Sequence, residues 1–352
     1  MTRSSTPLVI AHRGASGYRP EHTLESYRLA IEMGADFIEP DLVSTKDGHL
    51  VARHEPEIGT TTDVGSRPEF LDRQRTLIVD GATVTGWFTI DFTLAELRTL
   101  RAIQPRADRS KAFDGQFPIP TLEEIIDLAR HESTKRERTI GIYPETKHPT
   151  WHCEQGLPLE PRLLATLESA GWTERSSPVF IQSFESGNLR WLRSQTNVRL
   201  VQLLDGGELR DDGTVAARPR WSSSGSCRLY EQGDLPQDFS QPATFAFFKE
   251  YADALGPWKR HLIGTRKTDS SDTSERTRRV TAATRFVELA HAAGLAVHPW
   301  TFRNEAIHLA ADYGGDPAAE YRAFAELGVD AVFSDFPDTA VAAFSRVRAT
   351  DR

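Results

Sequence analysis

Two acidic residues, Glu39 and Asp41, lie two positions apart in the apolar segment 36–43. The segment has a strand pattern, and side chains two apart on a strand point to the same face. Carboxylates this close repel each other, so one of them takes up a proton unless a cation lies between them. Mg²⁺ or Ca²⁺, which prefers oxygen ligands, would resolve that conflict. An isolated Glu-x-Asp pair is common at a half-exposed strand edge, so the interpretation depends on what surrounds it.

Five further polar residues fall at the ends of predicted strands. They are two histidines, two cations and one carboxylate: His12, His54, Arg13, Lys147 and Glu145. The run 8–11, for example, has a short buried-strand pattern that ends on the first histidine. A single histidine or arginine in such a place is usually structural. In α/β barrels, however, catalytic residues gather at the carboxyl ends of the strands, so we expect all seven residues to share one site.

The residue types in this set suit chemistry at phosphorus. Arg13 offers a planar fork for two phosphate oxygens, and Lys147 offers a compact positive charge. The three carboxylates, Glu39, Asp41 and Glu145, could hold one divalent ion that polarises a phosphoryl group. Histidine has an unperturbed pKa near neutrality, which suits the two histidines to act as general base and general acid.

Strand and helix patterns alternate along the chain, which is typical of a parallel sheet covered by helices. Buried-strand patterns cover 8–11, 36–43, 49–54, 139–145, 179–182, 198–203, 295–300 and 329–334. Helical patterns cover 24–33, 94–100, 122–131, 162–170, 281–293 and 318–327. We expect Thr23 to cap the first helix and Gly34 to end it. Six to eight strand–helix units over this length favour a closed TIM (β/α)₈ barrel over an open sheet.

Two stretches interrupt the alternation. Residues from about 55 to 117 contain several glycines and the segment 91–93, whose threonine is expected to cap the helix over 94–100. They predict a small insertion after the second strand. Residues from about 205 to 241 are rich in Gly, Ser, Asp and Pro, which predicts a long loop near the barrel mouth. The Ser/Thr/Arg run over 265–279 is expected to be a solvated loop, and the whole chain, 1–352, one domain.

Composition excludes some function classes. The chain has 352 residues and a net charge of -8, which disfavours nucleic-acid binding through a broad basic face. Its two cysteines, Cys153 and Cys227, make no disulfide framework, so two free thiols or at most one bridge are expected. No apolar run has the length of a membrane span or a secretory signal. As written, the chain is therefore expected to be cytoplasmic, or exported if a leader has been removed. Nothing in the sequence indicates an oligomeric state.

Motifs spread along the chain carry a more specific signal. They are His12–Ala15, Pro20–Ser26, Glu39-x-Asp41, Val51–Glu55, Gly86–Thr93, Glu145–Lys147, Gln182–Phe184, Val297–Arg303 and Gly328–Pro337. In this order they resemble the glycerophosphodiester phosphodiesterase family over nearly the whole chain. The segment 86–93 is similar to that of the branch that includes periplasmic bacterial enzymes.

The resemblance implies a TIM barrel with a small inserted region after the second strand. It also implies one divalent cation, Ca²⁺ or Mg²⁺, held by Glu39, Asp41 and Glu145. Arg13 and Lys147 are then expected to contact the phosphate of a small glycerophosphodiester substrate.

The family's reaction implies roles for four more residues. In the family, the glycerol hydroxyl of the substrate attacks phosphorus, and water then opens the cyclic phosphate to give glycerol 3-phosphate. His12 and His54 are the implied acid–base pair, in an order that the sequence leaves open. Phe184 and Trp300 are expected to line the glycerol end of the pocket, although aromatic residues near strand ends more often serve packing.

One position departs from the family pattern. His22 stands where the family usually has asparagine. A neutral imidazole offers one donor and one acceptor, whereas an amide can bond through both of its groups. We therefore expect His22 either to replace those hydrogen bonds or to add a titrating group beside the site, with the reaction class unchanged.

Three alternative functions fit the sequence less well. A phospholipase D toxin-like enzyme shares the paired histidines and carboxylates, but such enzymes are secreted, disulfide-bearing and lack the long insertion. A catalytically inactive barrel used for binding would lack one of the acid–base or metal residues, and all of them are present. A nucleic-acid phosphodiesterase conflicts with the acidic net charge and the lack of a basic stripe.

Overall fold

Parallel strands alternate with helices in the computed structural model, which describes residues 6–216, 227–231, 234–268 and 271–350. The strands are β1 (Leu8–His12), β2 (Phe37–Glu39), β3 (Asp41–Ser44), β4 (Leu50–Ala52), β5 (Arg75–Val79), β6 (Ala82–Gly86), β7 (Gly141–Ile142), β8 (Glu145–Thr146), β9 (Phe180–Ser183), β10 (Arg199–Leu204), β11 (Ala254–Pro257), β12 (Ile263–Arg266), β13 (Arg279–Ala283), β14 (Ala296–Val297) and β15 (Ala331–Ser334). The helices are α1 (Leu24–Glu32), α2 (Leu94–Leu97), α3 (Leu122–Arg136), α4 (Pro149–Glu154), α5 (Leu159–Ser169), α6 (Ser186–Gln195), α7 (Pro242–Lys249), α8 (Phe286–Ala292), α9 (Pro317–Glu326) and α10 (Pro337–Thr350). Among the described helices, none has both the length and the apolar character needed to span a membrane.

Two sheets form the centre of the fold. The first has the strand order β15-β1-β2-β7, and the second has the order β14-β11-β10-β9-β8-β3-β4. All neighbours in them are parallel except β3 and β4. The chain passes from the first sheet to the second between β2 and β3, at Pro40, and again between β7 and β8, at Pro144. Proline has no N–H to donate to a ladder, which explains why each of these strands is divided.

The two sheets are neighbours at both sides. At the proline junction, Tyr143 N–H donates to Ile38 O and Glu145 N–H donates to Pro40 O, each at 2.9 Å. On the other side, a parallel bridge joins Phe302, which follows β14, to Ser334 of β15. Main-chain pairing therefore continues from one sheet to the other.

The parallel strands share one interior apolar cluster. Alternate residues on a strand face opposite sides, and those facing inward form the set Ile10, Phe37, Tyr143, Phe180, Val201, Ala254, Ala331 and Phe333. Residues facing the other way, such as Val9 and Ala11, pack in a larger cluster with the helices. One face of the parallel strands thus packs in this apolar cluster, and the other face packs against the helices.

Residues 55–117 pack against β3 and β4. They contain the antiparallel hairpin of β5 and β6, the short helix α2, and an apolar cluster to which Val43 and Val51 also belong. The hairpin turns at Asp80 and Gly81, which both have positive φ, as a two-residue turn of the mirror-image type requires. Trp151 of α4 donates its indole N–H to Ile78 O of the hairpin at 2.9 Å.

Several predicted helix ends are confirmed. The hydroxyl of Thr23 accepts from the N–H of Ser26 at 3.1 Å and caps α1, and Gly34 follows the helix with φ of +101°. Thr93 caps α2 with a capping box, although the helix ends at Leu97 and is shorter than predicted.

Other element predictions are wrong. The strand β11 was not predicted because Ala-Leu-Gly-Pro has low strand propensity, and it forms where neighbouring strands bury it. The predicted loop 265–279 begins and ends in the antiparallel pair of β12 and β13, and α8 starts only at Phe286. The exposed side chains of β13 conceal it in the sequence. The predicted long loop over 205–241 lies partly outside the described residues, which exclude 217–226 and 232–233.

One disulfide joins Cys153 of α4 to Cys227, across a sequence separation of 74. Of the two alternatives left open by the cysteine count, the structure has the single bridge. The bridge holds the segment 227–231 against α4, and Tyr230 in that segment donates its hydroxyl to Glu160 of α5 at 2.7 Å.

His152, beside this disulfide, makes stability depend on pH. It is fully buried, neither ring nitrogen has a hydrogen-bond partner within the described part of the chain, and burial lowers its pKa to about 3. Below about pH 6.5 the unfolded chain therefore binds a proton that the folded chain does not. We expect this residue to lower the free energy of unfolding by about 1.4 kcal/mol per pH unit as pH falls toward 4.

Urea unfolding at pH 6 and pH 4 tests this. His152→Leu should reduce the slope of the free energy of unfolding against pH by about 1.4 kcal/mol per pH unit, the equivalent of one bound proton. The matched variant of the exposed His131, His131→Leu, should leave the slope as it is in the wild type. An unchanged slope in His152→Leu would contradict the assignment.

Candidate active site

Strand register brings the predicted polar residues to one rim. His12 pairs with Glu39 between β1 and β2, Asp41 pairs with Glu145 between β3 and β8, and Glu145 pairs with Gln182 of β9. Because these neighbours are parallel, residues paired in register lie side by side. His12 and Glu39 end β1 and β2, whereas Asp41 and Glu145, each directly after a proline, begin β3 and β8. Side chains from strands that are distant in sequence are thereby collected in one place.

Three buried carboxylates form the centre of this rim. Glu39, Asp41 and Glu145 each offer an oxygen, and these three atoms lie within 4.8 Å of one another. Burial, together with the charges of Asp41 and Glu145, raises the pKa of Glu39 well above its usual range. Burial also raises the pKa of Glu145 to about 8, with Asp41 adding to the rise and Lys147 opposing it.

These carboxylates fit a divalent cation. The Oδ1 atom of Asp41 is buried and has no hydrogen-bond partner among the residues that the structure describes. Crowded buried carboxylates, two of them with raised pKa values and one with a spare oxygen, are a ligand set that Mg²⁺ and Ca²⁺ accept. The charge of such an ion would remove the repulsion that now favours protonation of Glu39 and Glu145.

Two cations border the carboxylates. The backbone N–H of Arg13 donates to Glu39 at 2.8 Å, and its guanidinium contacts Glu21 at 3.1 Å. The Nε atom of Arg13 is buried without a hydrogen-bond partner in the described chain. Lys147 Nζ lies 3.0 Å from Glu145 Oε1. Both side chains therefore lie where an anion bound over the carboxylates would meet positive charge.

His12 is held through its Nδ1 atom, which lies 2.6 Å from Asp335 Oδ1. Asp335 also contacts Arg109 at 2.5 Å and Arg303 at 3.0 Å. Although burial opposes ionisation, Arg303 and His12 hold the pKa of Asp335 well below its usual range. An ionised Asp335 accepts the Nδ1–H of His12, so that Nε2 carries the lone pair. Burial, then the charge of Arg13, lowers the pKa of His12.

His54 has the same arrangement with different partners. Its Nδ1 lies 2.8 Å from Glu55 Oε1, and its Nε2 lies 3.2 Å from Lys147 Nζ. Lysine can only donate, so Nε2 accepts and Nδ1 carries the proton. Burial and the charges of Arg13 and Lys147 lower the pKa of His54 to about 4. The imidazole is therefore neutral at pH 7.

All nine residues singled out in the sequence line one cavity of about 110 Å³. They are His12, Arg13, Glu39, Asp41, His54, Glu145, Lys147, Phe184 and Trp300. A second cavity of about 330 Å³ adjoins it and shares His54, Glu145, Lys147, Phe184 and Trp300. The rings of Phe184 and Trp300 meet edge to face at 5.8 Å, between the two cavities.

Four side chains of the site had no predicted role. Asp335, Arg303 and Glu55 contact the histidines or their partners as described above. Gln182 Nε2 donates to Glu39 Oε1 at 3.0 Å and lies in the smaller cavity. All four belong to the motifs that carry the family resemblance, which was the available signal. Their roles depend on the register between strands that are distant in sequence, and the local sequence pattern does not reveal that register.

His22, the departure from the family pattern, is fully buried and uses both ring nitrogens. Its Nε2 lies 2.9 Å from Asp41 Oδ2, and its Nδ1 lies 2.9 Å from the hydroxyl of Tyr27. One donor and one acceptor are what a neutral imidazole offers, so its bonding is complete. The structure thus places His22 behind a carboxylate of the site.

Comparisons with known proteins agree on one family. The profile of the Glycerophosphoryl diester phosphodiesterase family matches residues 12–339. A glycerophosphodiester phosphodiesterase of Arabidopsis thaliana, GDPD6, is 34% identical over 347 residues, which cover 95% of this chain and 85% of the relative.

Solved structures share the fold. A crystal structure of a glycerophosphoryl diester phosphodiesterase homologue from Silicibacter pomeroyi superimposes with a TM-score of 0.64 at 19% identity, covering 98% of this chain and 95% of the other. A phosphodiesterase from Oleispira antarctica, in complex with the product sn-glycerol-3-phosphate, gives a TM-score of 0.59 at 19% identity, with 97% of each chain covered.

Proposed function

The chain belongs to the glycerophosphoryl diester phosphodiesterase family, and we propose that this enzyme hydrolyses small glycerophosphodiesters to glycerol 3-phosphate and an alcohol, with one divalent cation. The observation that carries the proposal is the group of three buried carboxylates in the cavity that two histidines also line. The fold-mate from Oleispira antarctica with sn-glycerol-3-phosphate bound supports the substrate class.

In the proposed site the carboxylates hold the ion and the cations hold the phosphate. Mg²⁺ or Ca²⁺ bound by Glu39, Asp41 and Glu145 would polarise the phosphoryl group and stabilise its developing negative charge. Arg13 and Lys147 bind the non-bridging phosphate oxygens, which orients phosphorus beneath the two histidines.

The two histidines move protons at their Nε2 atoms. One, in its neutral form, takes the proton from the glycerol hydroxyl as its oxygen attacks phosphorus. The other enters the step as the imidazolium, which the negative charge of the bound phosphodiester favours, and gives its Nε2 proton to the alcohol oxygen as the bond from phosphorus to that oxygen breaks. Water then opens the cyclic phosphate, with the two roles reversed. Asp335 and Glu55 hold His12 and His54 in the tautomer that leaves Nε2 available.

We further propose that the two sheets form one closed (β/α)₈ barrel and that the chain is one domain with residues 55–117 as an insertion. Support comes from the bridge between Phe302 and Ser334 and from the inward cluster that draws on parallel strands of both sheets. The contacts of 55–117 with Val43 and Val51 support its attachment to the same domain.

The test is an assay of glycerol 3-phosphate release. We expect the purified protein to cleave glycerophosphocholine when Mg²⁺ or Ca²⁺ is present and to lose turnover after exhaustive chelation, with recovery when the ion is returned. A panel of choline, ethanolamine and glycerol diesters, assayed with each ion, identifies the preferred alcohol and metal. Turnover that survives chelation would contradict the metal proposal, and no release from any diester with any ion would contradict the function.

A further inference from the structure

A line of charged side chains outside the smaller cavity ends at His54. Asp80 Oδ2 lies 2.5 Å from His148 Nδ1, and His148 Nε2 lies 2.9 Å from Glu55 Oε2. The other carboxylate oxygen of Glu55 accepts from His54 Nδ1 at 2.8 Å. The carboxylate of Glu55 is thus shared between two imidazoles, one on each oxygen.

The two outer members of this line come from elements that pack on each other. Asp80 lies in the turn between β5 and β6, and His148 immediately precedes α4. The indole N–H of Trp151, in α4, donates to Ile78 O at the end of the same hairpin. The hairpin is therefore fixed to α4 at two points, and its tip reaches the wall of the larger cavity that both Asp80 and His148 line.

The protonation states make the line directional. Burial lowers the pKa of His148, but its hydrogen bonds to the carboxylates of Asp80 and Glu55 raise that pKa to about 9, so that at neutral pH both ring nitrogens donate. The side chain of Glu55 is 46% exposed. An exposed glutamate has several rotamers of similar energy, and the imidazolium of His148 selects the one that faces His54.

Glu55 at Nδ1 and Lys147 at Nε2 together select the tautomer of His54. Which ring nitrogen of a histidine carries the proton is set by the hydrogen bond that the other makes. With Glu55 in place, Nδ1 is protonated and Nε2 faces Lys147 and the smaller cavity. Without Glu55, only the longer contact with Lys147 favours this tautomer. The fraction of His54 with its proton on Nε2 then rises, and such a histidine is unable to accept a proton from substrate.

We propose that Asp80 and His148 are positioning residues for catalysis, which act through Glu55 to hold His54 in its Nδ1–H tautomer and make the hairpin of β5 and β6 part of the catalytic apparatus. This inference rests on the proposed function through the role of His54. A purely structural clamp would affect folding stability alone, whereas a positioning role affects turnover at constant stability.

Steady-state kinetics separates these two roles. Asp80→Asn and His148→Gln should each lower kcat on glycerophosphocholine by about 10- to 100-fold, as is typical when an outer partner of a catalytic group is lost, with KM changed by less than about 2-fold. The matched control is Arg75→Gln, which breaks the bidentate pair of Arg75 with Asp91 on the same hairpin, away from the site. This control should retain wild-type kcat, and circular dichroism should confirm that all three variants are folded.

Nitrogen-15 NMR of the imidazoles reads the tautomer without turnover. We expect His54 to be Nδ1–H in the wild type and in Arg75→Gln, and to show a mixture with Nε2–H in Asp80→Asn and His148→Gln. Retention of the Nδ1–H form and of kcat in both variants would overturn the inference. The two proposals can fail separately. An active His54→Ala enzyme would refute the acid–base role of His54, whereas the NMR measurement would still test whether Asp80 and His148 fix its tautomer.

Discussion

His54→Ala is expected to turn over glycerophosphodiesters about 10²- to 10⁴-fold more slowly than the wild type, the range typical of losing a general acid or base. The imidazole is neutral, its Nε2 faces the smaller cavity, and no other neutral base among the described lining residues can substitute for it except His12. His12→Ala should have an effect of similar size. KM should change far less, because Arg13 and Lys147 still bind the phosphate.

Both variants should remain folded. His54 is 30% exposed and His12 is 13% exposed, so their truncation leaves no large cavity. His291→Ala is the matched control. It removes a histidine that pairs with Asp330, which precedes β15 at the opposite end of the strand, and it should retain wild-type kcat. Turnover near the wild-type rate in either site variant would refute its acid–base role.

A substrate with an activated leaving group would assign the two roles. A p-nitrophenyl ester of glycerol phosphate needs no protonation of its leaving group, so the variant that lacks the general acid should recover most of its activity on it. The variant that lacks the base should recover little.

The second large effect is expected from Glu145→Gln. Its amide oxygen can still accept from Lys147, and the amide is uncharged, as the protonated Glu145 is, so the ion-free protein should keep its structure. The variant should nevertheless bind Mg²⁺ and Ca²⁺ at least about 100-fold more weakly, because an uncharged group replaces a ligand and even outer-shell losses cost about 10- to 100-fold. Turnover at a fixed ion concentration should fall accordingly. Isothermal titration calorimetry measures the affinity.

The sign of the change in folding stability caused by Glu145→Gln distinguishes a metal ligand from a residue that stabilises the fold. The folded pKa of Glu145 is raised to about 8, so in ion-free protein its contribution to stability declines as pH rises from the unfolded value through about 8. Glu145→Gln should therefore be at least as stable as the wild type at pH 8 without metal. Asp330→Asn, a carboxylate remote from the site, should leave ion affinity unchanged. An unaltered ion affinity in Glu145→Gln would remove this residue from the ligand set.

The sequence predicted which polar residues lie together better than it predicted the elements around them. His12, Glu39, Asp41 and Glu145 could be grouped because each lies near the end of a predicted strand and the carboxyl ends of parallel strands meet at one edge. In the structure Asp41 and Glu145 instead begin β3 and β8. That inference needs no knowledge of register, and the cavity does contain them. The strand β11 could not be predicted in this way, since its residues have low strand propensity and only burial between neighbours makes them a strand.

Partners across long sequence separations were also beyond the sequence. Asp335 lies 323 residues from the histidine it holds. The parallel pairing of β15 with β1 brings the two side chains together. Asp80 contacts His148 because the hairpin folds back on α4, which the glycine-rich pattern of 55–117 does not encode. The local sequence pattern shows which residue type lies at a strand end. It does not show the distant second residue that holds that side chain in place.

The Cys153–Cys227 bond has a consequence in terms of chain topology. It closes a covalent ring over the intervening sequence, a separation of 74 residues that includes β9, α6 and β10. In the chain-entropy account, such a ring removes conformations from the unfolded chain that are worth about 4 kcal/mol. Part of the folding stability therefore comes from the smaller number of conformations that the unfolded chain can adopt. Disulfides persist in oxidising compartments and are rare in reducing ones. The same sequence therefore has two different unfolded ensembles, one with the ring in oxidising conditions and one without it in reducing conditions.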